Sequence, residues 1–142
     1  MRTPDELTDL FRASGRKVTV QRQCIFSVLH GDVTHPTAEA VYEAARAEMP
    51  TISLKTVYQT LNELAELGEV APLNVGTGAV RFDPNVESGH HHLVCRRCGK
   101  VRDLEVDFDH LAVPAGAEQG FRVSSAEVVF RGLCGPCRAR AD

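Results

Sequence analysis

Two Cys-x-x-Cys pairs, Cys95 with Cys98 and Cys134 with Cys137, constrain the second half of this chain more than anything else in it. At that spacing a tight turn lets two thiolates grip one ion, and two such pairs supply the four sulfurs of a tetrahedral zinc site. Four sulfurs leave no open position, so the expected role is structural. Such a site pins the C-terminal end of the chain to the stretch carrying Cys95. The plain alternative is two unrelated pairs of free thiols. The sharper one is redox chemistry, because Cys134-Gly-Pro-Cys137 has the residues of a thioredoxin-type motif. That motif needs a long helix behind it to depress a thiol pKa, and only five residues follow Cys137. Structural zinc at Cys95, Cys98, Cys134 and Cys137 is the expectation retained.

The first pair closes the run His90-His-His-Leu-Val-Cys-Arg-Arg-Cys98. If this run is extended, side chains alternate between faces, so His90 and His92 share one face while His91 and Cys95 point to the other. One short segment then feeds two sites, one rich in imidazole and one in thiolate. Asp83 precedes it, Asp103 lies on the next expected strand, and His35 sits in a turn between two helices. Together His35, Asp83, His90, His92 and Asp103 offer mixed imidazole and carboxylate ligation, which suits Fe(II), Mn(II), Ni(II) or Zn(II). Each residue taken alone reads equally well as a satisfied turn or surface group. His91 is expected to face solvent or a neighbour, His30 and His110 to lie at the surface, and Cys24 to pack in a core.

Upstream, four helices are expected. Thr3 caps the first, with Pro4 at its first position and Glu6 completing a capping box. Thr19, Thr37 and Ser53 cap the next three. The inward stripes are Leu7, Leu10 and Phe11; Cys24, Ile25, Val28 and Leu29; Ala38, Val41, Tyr42, Ala45 and Met49; and Leu54, Val57, Leu61 and Leu64. Two short strands near 69–74 and 79–83 follow, with Gly76-Thr-Gly78 as the tip between them. Helices followed by a hairpin are the order of a winged helix-turn-helix whose fourth helix reads DNA. That helix carries Lys55, Thr56 and Gln59 at its N-terminal end, with Tyr58 at the boundary of its buried face. Arg16, Lys17, Arg22, Lys55 and Arg81 surround it and the wing, where they are expected to meet phosphates. The expected fold class is α+β: a winged helix-turn-helix domain (1–83), a hinge (84–89), and a small α/β dimerisation domain with a zinc–thiolate site (90–142). Strands are expected at 90–94, 100–104 and 127–130, with a short or broken helix within 107–119.

Net charge is −3, so any DNA binding must use a local basic face rather than bulk charge. No apolar run is long enough for a membrane span. The polar, acidic start is unlike a secretory signal, so a cytoplasmic protein is expected. No general base with a substrate cleft can be named, so an enzyme is not expected.

Several motifs carry a family resemblance: Gly15-Arg-Lys-Val-Thr-Val-Gln-Arg22, His35-Pro-Thr-Ala-Glu39, Ser53-Leu-Lys-Thr-Val-Tyr-Gln-Thr-Leu61, Arg81-Phe-Asp83, the run from His90 to Lys100, and the final Cys-x-x-Cys. In this order they resemble the ferric uptake regulator (Fur) family over nearly the whole chain. The resemblance implies a homodimeric, metal-dependent transcriptional repressor that binds AT-rich inverted repeats in double-stranded DNA when metallated. It implies base and backbone contacts from Tyr58 and its neighbours. It places the regulatory Fe(II) or Mn(II) on His35, Asp83, His90, His92 and Asp103, beside the structural zinc. Many iron-responsive members carry Glu where this chain has Asp103. Aspartate there resembles the peroxide-sensing branch, in which Fe(II) and hydrogen peroxide oxidise a ligand imidazole, here His35 or His90, and release catalase-type defence genes. The alternative within the family is a metal-uptake regulator answering to Fe, Mn, Ni or Zn without peroxide sensing. A further metal site of some members falls on Gly89, His91, His110 and Ala126, so it is not expected here.

Overall fold

A computed structural model of the chain describes residues 1–87 and 89–140. They divide into two units, Met1–Val86 and Glu87–Asp142. The expected hinge at 84–89 includes residue 88, and the expected second domain includes residues 141 and 142; these lie outside the described residues.

The first unit contains α1 (Pro4–Ala13), α2 (Val20–Leu29), α3 (Ala38–Glu48) and α4 (Leu54–Glu66), then β1 (Ala71–Leu73) and β2 (Arg81–Asp83). All four helices begin where a hydroxyl can take up an orphan amide. Thr3 accepts from the Glu6 N–H, Thr19 from Arg22, Thr37 from Ala40 and Ser53 from Thr56. Each such cap contributes about 1 kcal/mol. The apolar stripes meet in one core, built on Leu7 and Phe11 of α1, Ile25, Phe26 and Leu29 of α2, Val41 and Ala45 of α3, and Val57, Leu61 and Leu64 of α4. Phe11 and Phe26 meet edge to face at 4.9 Å.

The stripes change in depth. Phe26 joins the fully buried set because α2 packs against α1, α3 and α4, while Leu10, Cys24, Val28, Tyr42 and Met49 are only partly buried. Leu54 is exposed, since it opens the first turn of α4 and the buried stripe starts at Val57. The wing is shorter than expected. β1 and β2 pair antiparallel over three residues each, with Pro72 opposite Phe82. Gly76 and Gly78 take left-handed backbone (φ 77° and 101°) in the loop between them, a conformation that costs glycine least.

The second unit is a three-stranded sheet ordered β4-β3-β5, from β3 (His91–Cys95), β4 (Val101–Leu104) and β5 (Val129–Gly132), ending in the short helix α5 (Gly135–Ala139). β3 runs antiparallel to β4 and parallel to β5, and His92 stands opposite Asp103 on one side and Val129 on the other. The helix expected within 107–119 does not form. His110 and Gln119 take left-handed backbone (φ 67° and 48°), as does Gly116 (φ 86°), with Pro114 between them. Left-handed residues and a proline cannot sustain a right-handed hydrogen-bond ladder. The N-terminal half of this stretch still serves the fold, because Phe108 packs against both His91 (4.8 Å) and Phe130 (5.9 Å).

Candidate functional site

The four cysteines of the two pairs come together. Cys95 ends β3, Cys98 closes the turn after it, Cys134 caps α5 and Cys137 lies within that helix. All are free thiols. One sulfur from each lies within 4.8 Å of the others, and Cys98 Sγ is 3.7 Å from Cys134 Sγ. Zinc–sulfur bonds of about 2.3 Å at tetrahedral angles put sulfurs about 3.8 Å apart, so the set fits zinc. The backbone prepares part of it: the Cys134 N–H points at Cys95 Sγ, 3.4 Å away. That amide and the Cys98 amide pull the Cys95 thiol down to about 5. Burial, with the neighbouring sulfurs, pushes the Cys137 thiol up to about 12. A redox pair at Cys134 and Cys137 would stand apart from the first pair, whereas here the two pairs converge.

The mixed imidazole and carboxylate residues fall into one group in each unit. In the first, His35 and Asp83 are both buried, with His35 Nε2 3.3 Å from Asp83 Oδ2. His35 takes left-handed backbone (φ 54°) in the turn before α3. The turn is stapled to β2: Phe82 N–H donates to the Pro36 carbonyl (2.9 Å), the Arg81 guanidinium to the His35 carbonyl (3.1 Å), and Thr37 bridges Arg81. Asp83 also accepts from the Asn85 N–H at 2.8 Å.

In the second unit, His90 and His92 stack edge to face at 4.9 Å. Their Nε2 atoms lie 3.8 and 3.5 Å from the same Asp103 oxygen. The other nitrogens explain the aim. His90 Nδ1 is 2.8 Å from the Glu87 carbonyl, and His92 Nδ1 is 2.7 Å from Glu127 Oε1. A carbonyl or carboxylate can only accept, so each Nδ1 carries a proton, and each Nε2 is the atom turned toward Asp103. Two imidazole Nε2 atoms and a carboxylate thus converge as metal ligands do, each histidine held by an acceptor behind it. The pattern suits Fe(II), Mn(II) or Zn(II). Glu127 was not among the expected site residues, and only the register of β5 against β3 reveals it. His91, on the opposite face, accepts the Val128 N–H at 3.0 Å and packs on Phe108 rather than facing solvent.

The residues expected to meet DNA are split. Lys17, Lys55, Tyr58 and Gln59 are exposed, Thr56 is half-buried, and Arg16, Lys55, Tyr58 and Gln59 line one open groove along α4. Arg22 differs. It is buried, its guanidinium pairs with Glu63 at 2.7 Å, donates to the Lys17 carbonyl, and lies 5.5 Å from the Phe11 ring centre. Its charge is used inside the unit, so Arg22 is not free to meet a phosphate. Arg16 pairs with Glu66 and Arg2 with Glu69. The acidic far end of α4 is thereby offset by arginines, and Lys55 sets the sign near its start.

These features define a metal-binding winged-helix regulator, and the family model bears this out: residues 13–131 match the ferric uptake regulator family. The chain belongs to that family, whose members are transcriptional regulators. It is 34% identical over 138 residues to the peroxide operon regulator of Bacillus subtilis (strain 168), covering 96% of this chain and 94% of that one. The Campylobacter jejuni peroxide stress regulator matches with a TM-score of 0.63 and 30% identity, over 96% of this chain and all of that one. The Helicobacter pylori ferric uptake regulator, at 22% identity, shares the fold with a TM-score of 0.73 over 94% and 90% of the two chains.

Proposed function

We propose that this protein is a metal-dependent DNA-binding repressor that responds to hydrogen peroxide. Its regulatory ion would be held by His35, Asp83, His90, His92 and Asp103. The observation that carries the reading is the shared aim of His90 and His92, whose Nε2 atoms both face the same Asp103 oxygen. Likeness to peroxide-responsive repressors of about the same length supports the choice of signal.

The chain's own residues prepare the response. Glu87 and Glu127 hold the two imidazoles in the ligating tautomer. The stapled turn holds His35 against Asp83. Ferrous iron held by such a set would supply the chemistry that activates hydrogen peroxide; overall, a ligand imidazole would gain one oxygen atom and the other would leave as water. His35 and His90 are the imidazoles proposed to be oxidised. An oxidised ring would no longer offer the same lone pair, so the set would hold the ion less tightly and the grip on DNA would loosen.

Lys17, Lys55 and Arg16 would meet phosphates, and Thr56, Tyr58 and Gln59 the groove of an AT-rich inverted repeat. A two-fold operator requires a two-fold protein, and we assign dimerisation to the second unit. There Leu93 and Phe130 stand opposite each other in register, and both are exposed. A reducing cytoplasm is the compartment in which four free thiols persist as zinc ligands. No helix among the described residues is long and apolar enough to cross a membrane.

The test is mass spectrometry of anaerobically prepared protein loaded with Fe(II) or with Mn(II) and then exposed to peroxide. An added oxygen on peptides holding His35 or His90, with iron only, is expected. Oxidation confined to cysteines would overturn peroxide sensing and favour the metal-uptake alternative.

A further inference from the structure

We propose that Glu127 is a positioning residue for the regulatory ion, acting through His92; this rests on the ligand set proposed above. Its Oε1 lies 2.7 Å from His92 Nδ1, while His92 Nε2 faces Asp103. The next residue, Val128, is clamped to β3 through both its backbone groups. His92 N–H donates to the Val128 carbonyl (3.1 Å), and Val128 N–H donates to His91 Nδ1 (3.0 Å). Glu127 is therefore delivered to His92 by the strand pairing, not by a flexible side chain alone.

The two histidines are unequal because of it. His90 rests on a neutral carbonyl, that of Glu87, whereas His92 rests on a carboxylate. A carboxylate behind an imidazole fixes its tautomer and adds electron density at the opposite nitrogen, and losing such a partner weakens metal binding by about 10–100-fold. Glu127 is 44% exposed while His92 is 4% exposed. Replacing Glu127 therefore strands no buried charge, and its contribution can be read apart from folding.

The experiment uses the full chain with zinc in place, as wild type, Glu127→Gln, Glu127→Ala and His92→Ala. Nitrogen-15 spectra of the histidine rings, taken without the regulatory metal, report the tautomer of His92. The wild type should show Nδ1–H, and Glu127→Ala a mixture. Mn(II) affinity by chelator competition should fall about 10–100-fold in Glu127→Ala. It should fall less in Glu127→Gln, whose amide oxygen still accepts, and melting without Mn(II) should be unchanged. A wild-type His92 protonated at Nε2, or Glu127→Ala binding Mn(II) like wild type while His92→Ala does not, would overturn the role of Glu127 alone. If His92→Ala keeps wild-type affinity, the ligand set itself falls, and this role with it.

Discussion

His35 and Asp83, far apart in sequence, meet with Nε2 and Oδ2 3.3 Å apart and almost no solvent on either. The contact exists because the turn before α3 is bridged to β2, so two of the proposed ligands are assembled within a single unit. Asparagine tolerates the left-handed backbone at position 35, so His35→Asn removes the imidazole without adding strain. Mn(II) at about 100 times its dissociation constant should stabilise the wild type by about 2.7 kcal/mol. It should stabilise His35→Asn far less. Urea unfolding of zinc-loaded protein, with and without Mn(II), checks this.

The thiolate site should carry the second unit. A closed zinc site contributes an apparent ~10–16 kcal/mol to folding, and a small sheet with one short helix has little else to replace it. Stripping zinc with a strong chelator should abolish the sheet signal while the helical signal of the first unit persists, as read by circular dichroism.

Zinc uptake should also depend on pH in a defined direction. Amide hydrogen bonds hold the Cys95 thiol down to about 5, while burial and its sulfur neighbours push Cys137 up to about 12, so the unloaded cluster keeps protons at neutral pH. The incoming ion must expel them. Apparent zinc affinity should therefore climb as pH rises through neutrality, by about one decade per pH unit for each proton displaced, and fall in acid. Competition with a zinc-responsive dye across that range measures the slope.

On α4, Tyr58 donates a 2.7 Å hydrogen bond to Glu39 of α3, which leaves the exposed ring oriented beside Lys55 and Gln59 in the same groove. Lys55→Ala should weaken binding to every duplex by a similar factor and lower the salt slope by about one. Tyr58→Ala should cost about 1–3 kcal/mol on the selected operator and little on unrelated DNA. Fluorescence anisotropy with two duplexes separates the two, and operator binding by both variants equal to wild type would contradict the assignment of α4.

Dimerisation offers a further check. Leu93 and Phe130 present an apolar pair on the sheet face. Placing a charge there, as Leu93→Glu, should shift sedimentation from dimer to monomer at low micromolar protein without unfolding the sheet.

Much of this was legible in the chain. Ser or Thr before each helix, and a capping box at Thr3 and Glu6, gave the helix starts, because capping is local chemistry. The Cys-x-x-Cys spacing gave the sulfur cluster for the same reason. The alternation of β3 separated His91 from His90 and His92. What escaped depended on partners distant in sequence. Arg22 looked like a solvent-facing cation, but Glu63 and Phe11 claim it. Glu127 was silent because only the parallel pairing of β5 with β3 brings it to His92. After β4, Pro114 and Gly116 already pointed to a short or broken helix, and with left-handed His110 and Gln119 none forms.

The proposed regulatory ion is what should govern affinity for DNA. The most direct measurement is a Mn(II) titration of binding to a duplex selected by the metal-loaded wild type, using zinc-loaded wild type, His35→Asn and Asp103→Ala. The two variants remove one ligand from each unit. Affinity should rise with Mn(II) in the wild type, and both variants should need far more Mn(II) for the same gain. A variant from either unit that follows the wild-type curve would contradict the account.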